Sequence, residues 1–117
     1  MTAHGAAGGG PVVVLCTTPE EQADAIARQL VGEGLCACVN VVPGVRSHYR
    51  WQGRVEAAVE ALLVAKTTRA VAVRLRERIV ALHPYEVPEV LELAVDAGLP
   101  AYLAWLVDSV APRDGGA

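Results

Sequence analysis

The hydrophobic pattern of this chain switches repeatedly between the period of a strand and the period of a helix, and the order of the switches limits the folds it can form. Strand-like runs cover 12–16, 35–42 with 45–51, 55–66 and 90–95, and helix-like spacing covers 19–31, 71–82 and 100–110. The order is βαββαβα. Two βαβ-like halves with right-handed crossovers predict an α+β fold: a ferredoxin-like split βαβ sandwich, βαββαβ plus a C-terminal helix, with a long central hairpin.

The first predicted helix has signals at both of its ends. Thr18 can cap its amino end, with Pro19 in the first helical position and Glu21 as the acid of a capping box. Gly32 and Gly34 follow the last periodic residue, where a left-handed C-cap favours glycine. We therefore expect an amphipathic helix that starts at Pro19.

The predicted third strand is largely apolar on both of its faces. One face carries Val59, Ala61, Leu63 and Ala65, and the other carries Glu60, Leu62, Val64 and Lys66. The two longer helices can cover only one face, and a third helix about 16 Å long is too short to cover the other. We therefore expect the open face to be buried by self-association. Polar residues would then line a subunit interface: Cys36, Cys38, Asn40, Glu60 and Lys66.

Length and composition exclude several classes of protein. A chain of 117 residues has the size of one domain, here 11–110, with flexible Gly-rich tails at 1–10 and 111–117. A formal net charge of -3 disfavours nucleic acid as a partner. Hydrophobic residues make up 53% of the chain, yet no apolar run reaches the roughly 20 residues of a membrane-spanning helix. We expect neither nucleic acid nor membrane as a partner.

The amino terminus and the cysteines suggest a compartment. Residues 1–10 contain no basic segment followed by an apolar one, so they do not resemble a secretory signal. The odd set of Cys16, Cys36 and Cys38 suits free thiols better than a disulfide framework. Both observations predict a cytoplasmic protein.

Six short segments follow one another along the folded region: VLCTTP, ACVN, SHYRW-G, E-LLVAKT, HPYEVPE and YLAW. In this order, between Val12 and Trp105, they resemble the CutA divalent-cation-tolerance family. The resemblance implies a ferredoxin-like trimer similar to the PII signalling proteins, a role in tolerance of copper and other divalent metals, and no enzymatic activity. It also implies a cleft between protomers that gathers the motif positions: Cys16, Cys38, Tyr49, Trp51, Glu60, Lys66, Thr67, His83, Pro84, Tyr85, Pro88, Glu89 and Trp105.

Three of these positions are candidate metal ligands: His83, Cys16 and Cys38. Cu²⁺ and similar borderline cations prefer imidazole and thiolate ligands, and Pro84 holds the backbone of His83 out of the helical region. The alternative for His83 is a contact with the carboxyl end of the second helix. The alternative for each cysteine is a small buried hydrophobe.

The remaining candidates are predicted to bind a small molecule or cofactor: Tyr49, Trp51, Glu60, Lys66, Thr67, Tyr85 and Glu89. Glu60 and Lys66 could instead form a buried ion pair, and Tyr49 and Trp51 could anchor a trimer interface. The four arginines of the second helix, at 69, 74, 76 and 78, are expected to form a solvated face.

These residues support three possible functions. The first is a homotrimer that binds a divalent metal at clefts between subunits and serves metal tolerance. The second is a PII-like module that holds an anionic small molecule or nucleotide with Lys66 and Thr67, although no Gly-rich phosphate loop is present. The third and least supported is a hydrolase or lyase that uses His83, Glu60 and Lys66. No G-x-S-x-G motif occurs, and we expect that the protein is not an enzyme.

Overall fold

A computed structural model describes residues 9–110. It contains four strands and three helices in the predicted order: β1 (Pro11–Pro19), α1 (Glu20–Gly32), β2 (Cys38–Trp51), β3 (Arg54–Thr68), α2 (Arg69–Leu82), β4 (Val90–Ala94) and α3 (Pro100–Ser109). The four strands form one antiparallel sheet in the order β2-β3-β1-β4. This arrangement confirms the α+β, ferredoxin-like prediction.

The alternation of side chains along β1 and β3 separates a covered face of the sheet from an open one. Val14 lies opposite Ala65 and Cys16 lies opposite Leu63, and all four are buried in one core with the apolar sides of α1 and α2. The residues between them point to the other face and are only partly buried. On that face Leu93, in β4, keeps 50% of its surface exposed. The predicted apolar character of both faces is confirmed.

The third helix packs against strands rather than extending freely. It contacts β1 and β3 and buries Leu106 almost completely. Pro100 occupies its first turn, where a missing amide hydrogen costs nothing. No helix within residues 9–110 combines the length and the hydropathy that crossing a membrane requires.

The start of α1 differs from the prediction. The helix begins at Glu20, and Pro19 takes the N-cap position without any side-chain cap. Thr18 cannot cap it because β1 continues through Pro19, which leaves Thr18 within the sheet and fully buried. Its hydroxyl donates to the carbonyl of Pro19 at 2.9 Å. Glu20 instead accepts a hydrogen bond from the backbone N–H of Gly44, which joins α1 to the bend in β2.

The second strand begins three residues later than predicted. The chain leaves α1 with the N–H of Leu35 bonded to the carbonyl of Leu30 at 3.1 Å, and regular pairing starts only at Cys38. Cys36 is 1% exposed and belongs to the core. The predicted open-face position therefore holds for Cys38 but not for Cys36.

The arginines of α2 are not simply solvated, which corrects the prediction for this helix. Arg69 and Arg76 both reach Glu92 on β4, at 3.5 and 2.9 Å, and Arg78 makes a two-pronged contact with Glu33 at the end of α1. Arg74 lies partly buried. Glu92 is available because β4 turns this side chain toward the covered face, opposite Val14.

Most of the predicted amino-terminal tail, 1–10, lies outside the described residues. All of the predicted carboxyl-terminal tail, 111–117, also lies outside them. The two tail residues that are described contact α2. The carbonyl of Gly10 accepts the N–H of Arg69 at 2.8 Å, and the carbonyl of Gly9 accepts its side-chain Nε–H at 3.1 Å.

Candidate functional site

A cleft of about 670 Å³ lies between the hairpin of β2 and β3 and the loop at 83–89. We call it the acidic cleft. Its lining residues come from β1, from both hairpin strands and from the loop: Thr17, Ser47, His48, Tyr49, Trp51, Glu60, Tyr85, Glu86, Val87, Pro88 and Glu89. Five of the seven residues predicted to bind a small molecule are among them: Tyr49, Trp51, Glu60, Tyr85 and Glu89.

An irregularity in β2 turns the aromatic side chains toward the cleft. Val42 pairs with Leu62 and Val45 pairs with Glu60, so β2 advances three residues while β3 advances two. One extra residue reverses the alternation of side chains along the rest of β2. Tyr49 and Trp51 therefore share a face with Glu60.

The hairpin closes with a two-residue turn whose geometry fits its sequence. Gln52 and Gly53 both have positive φ, 52° and 79°, as the tight turns that match the twist of paired strands require. Trp51 pairs with Arg54 immediately before and after the turn. The turn thus fixes Trp51 at the far end of the β2–β3 hairpin.

His83 connects the loop to β1. The helix α2 ends at Leu82, and His83 is extended, with φ −82° and ψ 142°, as expected for a residue before proline. Its Nδ1 accepts the N–H of Tyr85 at 3.1 Å, so the ring proton sits on Nε2, which donates to the carbonyl of Thr17 at 2.7 Å. Both ring nitrogens of this buried histidine are therefore occupied.

Tyr85 and Glu60 form the inner contact of the cleft. The hydroxyl of Tyr85 donates to Glu60 at 2.7 Å, and Glu60 is only 4% exposed. The Tyr85 ring packs against His83 with 4.7 Å between ring centroids. Burial raises the pKa of Tyr85 to about 12, and the hydrogen bond to Glu60 adds to the rise. The hydroxyl therefore stays protonated and keeps donating at neutral pH.

The charge of the cleft is negative. Three glutamates line it, Glu60, Glu86 and Glu89, and the lining contains no lysine or arginine. Glu21 lies close enough to contribute to the raised pKa of Tyr85. Within residues 9–110 none of the three lining carboxylates takes part in an ion pair. The cleft is suited to a cation and repels an anion.

The two cysteines predicted as metal ligands lie on opposite faces of the sheet. Cys16 is on the covered face, 1% exposed, with its sulfur 3.6 Å from the carbonyl of Thr17. Burial, together with the charges of Glu89 and Glu60, raises the pKa of the Cys16 thiol to about 12. A protonated thiol is a poor metal ligand.

Cys38 lies on the open face, at the other end of the hairpin. It pairs with Lys66 in register, and the Lys66 amino group is 3.7 Å from its sulfur. In the protomer, the side chains of Cys16 and His83 both contact the carbonyl of Thr17. Cys38 lies away from both of them. Over the part of the chain that the structure describes, no three His, Cys, Asp or Glu side chains converge as a metal site.

Lys66 and Thr67 are away from the acidic cleft. The Lys66 amino group donates to the side-chain oxygen of Asn40, and the buried Thr67 hydroxyl donates to the carbonyl of Leu35 at 2.8 Å. Glu60 stands six residues before Lys66 on one strand, which is about 20 Å. The protomer therefore does not form the alternative ion pair between Glu60 and Lys66.

Several lining residues were not predicted as site residues. Glu86 is the clearest case, because it stands inside the HPYEVPE segment between two residues that were named, and a count of acids in that segment would have found it. Ser47 shares the hairpin with Tyr49 but carried no separate signal. The imidazole of His48 marked it as a possible additional nitrogen donor from the hairpin, with an exposed strand histidine as the more frequent alternative. Thr17 lines the cleft at the end of β1.

Comparison with known proteins gives a consistent family assignment. Residues 12–109 match the family described as CutA1 divalent ion tolerance protein. The chain is 54% identical to the divalent-cation tolerance protein CutA of Thermus thermophilus over 95 residues, 80% of this chain and 92% of that protein. It is 42% identical to the chloroplastic protein CutA of Arabidopsis thaliana over 99 residues, which are 84% of this chain and 54% of that one.

Solved structures agree with the sequence comparison. The Cut A1 structure from T. thermophilus superposes with a TM-score of 0.84 at 50% identity, covering 86% of this chain and 99% of that one. The structure described as PII-like protein CutA from Nostoc, in apo form, has a TM-score of 0.81 at 38% identity, over 86% and 97% of the two chains. The family description and both T. thermophilus descriptions refer to divalent ion tolerance, and the Nostoc structure is described as PII-like.

Proposed function

Since this chain belongs to the CutA1 divalent ion tolerance family, we propose that it serves metal tolerance by binding a divalent cation of the copper type in the acidic cleft. The proposal is supported above all by Glu60. Its carboxylate is 4% exposed, and its hydrogen-bond partner is the neutral hydroxyl of Tyr85. Buried charges in proteins are paired or coordinate metals, and Glu60 has no cationic partner within residues 9–110.

The donor set of the cleft fits a borderline divalent ion. Glu60 and Glu89 supply carboxylate oxygens to the cleft. With an imidazole nitrogen added, such a set suits Cu²⁺ and Zn²⁺. Neither nearby histidine offers that nitrogen from this protomer, because both ring nitrogens of His83 are already hydrogen-bonded and His48, opposite Ala57, lies on the other face of the hairpin from Glu60.

The protomer alone does not complete such a site, because no three metal-binding side chains converge within residues 9–110. We propose that a neighbouring copy supplies the missing donors. The half-exposed leucines on the open face of the sheet, Leu91 and Leu93, support assembly through that face. The assembly we propose is a homotrimer, with the cleft at the junction of two subunits.

A PII-like role in binding a small molecule is the second candidate, and one observation favours it. The cleft volume of about 670 Å³ is far larger than a metal ion occupies and lies in the range of small-ligand pockets. An anionic ligand is nevertheless disfavoured. Three glutamates would repel it, and Lys66 and Thr67, which were expected to hold it, do not line the cleft.

Hydrolysis or lyase chemistry receives little support from the geometry. Lys66 stands about 20 Å along β3 from Glu60, and the nitrogens of His83 are engaged with backbone groups. We propose a binding protein rather than an enzyme.

Metal binding can be tested by replacing one carboxylate with its neutral isostere. In Glu60→Gln we expect the affinity for Cu²⁺ and Zn²⁺ to fall at least tenfold, because the shape of the side chain is kept while its charge is lost. Isothermal titration of metal-stripped protein measures this change. Glu77→Gln is the matched control, since Glu77 is exposed on α2 and does not line the cleft. Unchanged metal affinity in Glu60→Gln would reject the cleft as the metal site.

A further inference from the structure

We propose that the acidic cleft also binds an aliphatic polyamine, a flexible organic cation with ammonium groups spaced along a methylene chain. This inference uses the same cleft as the metal proposal but does not depend on metal binding. It rests on three properties of the cleft: its volume, its aromatic walls and the spacing of its carboxylates.

The volume exceeds what a single hydrated ion can fill. A water molecule occupies about 30 Å³ in the liquid, so an ion with six waters takes roughly 200 Å³. The cleft holds about 670 Å³. An organic ligand can occupy the space that an ion would leave to bulk water.

The walls of the cleft are aromatic and partly exposed. Tyr49 and Trp51 on the hairpin are 45% and 47% exposed, and Tyr85 on the facing loop is 39% exposed. Aromatic faces attract ammonium groups, and the tryptophan ring does so most strongly. Val87, 68% exposed, and Pro88 complete the wall and offer apolar contact to methylene groups. Alternating aromatic and aliphatic surface matches a chain that alternates charge with hydrocarbon.

The carboxylates are distributed rather than clustered. Glu60 lies at the buried inner end, whereas Glu86 and Glu89 are exposed on the loop. Three residues of extended chain separate Glu86 from Glu89 by up to about 10 Å. One divalent ion would leave at least one of three carboxylates uncompensated, but a triamine carries three positive charges. The match favours a polyamine over a single compact cation.

The polyamine proposal can be tested by titrating metal-stripped protein with spermidine, putrescine and 1,4-butanediol. We expect spermidine to bind at least tenfold more tightly than putrescine, and butanediol, the uncharged counterpart of putrescine, to give no signal. In Trp51→Leu, which keeps apolar bulk and loses the ring face, spermidine affinity should fall at least fivefold. Glu86→Gln should produce a similar loss, whereas Glu77→Gln, the control on α2, should change the affinity less than twofold.

Other outcomes would overturn the inference. Spermidine binding that is equal in wild type, Trp51→Leu and Glu86→Gln would reveal only nonspecific attraction to an acidic protein. Absence of spermidine binding would also reject the polyamine proposal. The same holds if spermidine fails to bind because the protein is an oligomer, as shown by native mass spectrometry, whose neighbouring copy fills the cleft. The two proposals remain separable. Metal binding without spermidine binding rejects only this inference, and spermidine binding without metal binding rejects only the metal proposal.

Discussion

Cys16, Cys36 and Cys38 are the same residue type in three different surroundings. Cys16 and Cys36 are each 1% exposed, and burial raises the pKa of both thiols to about 12. Cys38 is partly exposed and lies 3.7 Å from the amino group of Lys66. Only thiolates react rapidly with alkylating reagents, so reactivity should follow these surroundings.

We expect limited alkylation of the native protein at pH 8 to modify Cys38 before Cys16 or Cys36. The two buried thiols should react at least tenfold more slowly, because they are both shielded and protonated. Peptide mass spectrometry after brief iodoacetamide treatment identifies the modified position, and protein unfolded in urea should react at all three. Equal rates in an assembled protein would place Cys38, on the open face, inside the subunit interface, whereas equal rates in a monomer would contradict the burial of Cys16 and Cys36.

At the same scale, His83 shows where prediction from sequence stops. Its extended backbone follows from Pro84 and was predictable. Its hydrogen bond to the carbonyl of Thr17 joins residues that are 66 positions apart in the chain, and no local pattern encodes such a partner. Imidazole chemistry suggested a metal ligand, whereas the structure uses both nitrogens to hold the loop.

Among the elements, α2 has a well-defined buried side. Leu75 is completely buried in the core, while Val80, on the same helix, is 52% exposed. The spacing of Val71, Leu75 and Ile79 predicted this buried side. Helical periodicity and strand alternation were sufficient for the core because they depend only on nearby residues.

Leu75→Ala should lower the free energy of unfolding by about 3 kcal/mol, because it removes buried methyl groups and leaves a cavity. Val80→Ala should change it by less than about 1 kcal/mol, because that side chain remains half in water. Urea denaturation followed by circular dichroism, at one fixed protein concentration, measures both changes. Similar losses for the two variants would show that the buried side of α2 is assigned incorrectly.

Element boundaries were less predictable than element types. The pattern Thr18-Pro19 has the form of a helix cap, but pairing of β1 with β3 through Pro19 ↔ Glu60 extends the strand and delays the helix. Similarly, the strand-like pattern that starts at Leu35 includes Cys36, but Cys36 is held in the turn after α1. In both cases contacts from distant segments override a plausible local signal.

For the whole molecule, the open face of the sheet is the dominant surface feature. Leu91 and Leu93 on this face are 53% and 50% exposed, next to half-buried residues of β1 and β3. The double-sided apolar pattern was visible in the sequence. Which copy covers this face, and in what symmetry, depends on surfaces that no single chain defines.

We expect wild-type protein to appear as a trimer in native mass spectrometry and Leu93→Glu to shift it toward monomer, because a charge in an apolar interface carries a desolvation cost. Val80→Glu is the matched control, since Val80 is equally exposed but lies on α2. That variant should remain trimeric. A wild-type monomer, or a Leu93→Glu variant that still forms trimers, would refute assembly through the open face.

The bulge in β2 has a consequence for the charge of the site. Side chains along a strand alternate between two faces, and the irregularity between Val42 and Val45 decides which residues of the hairpin face the cleft. If pairing continued regularly from Val42, Gly44 would lie opposite Glu60, and the hairpin would present Arg46 and Arg50 to the cleft in place of Tyr49 and Trp51. Two arginines would offset two of the three glutamate charges and remove two aromatic faces, although no residue would have changed. The preference of this cleft for cations therefore depends on the register of one strand as much as on the chemistry of its residues.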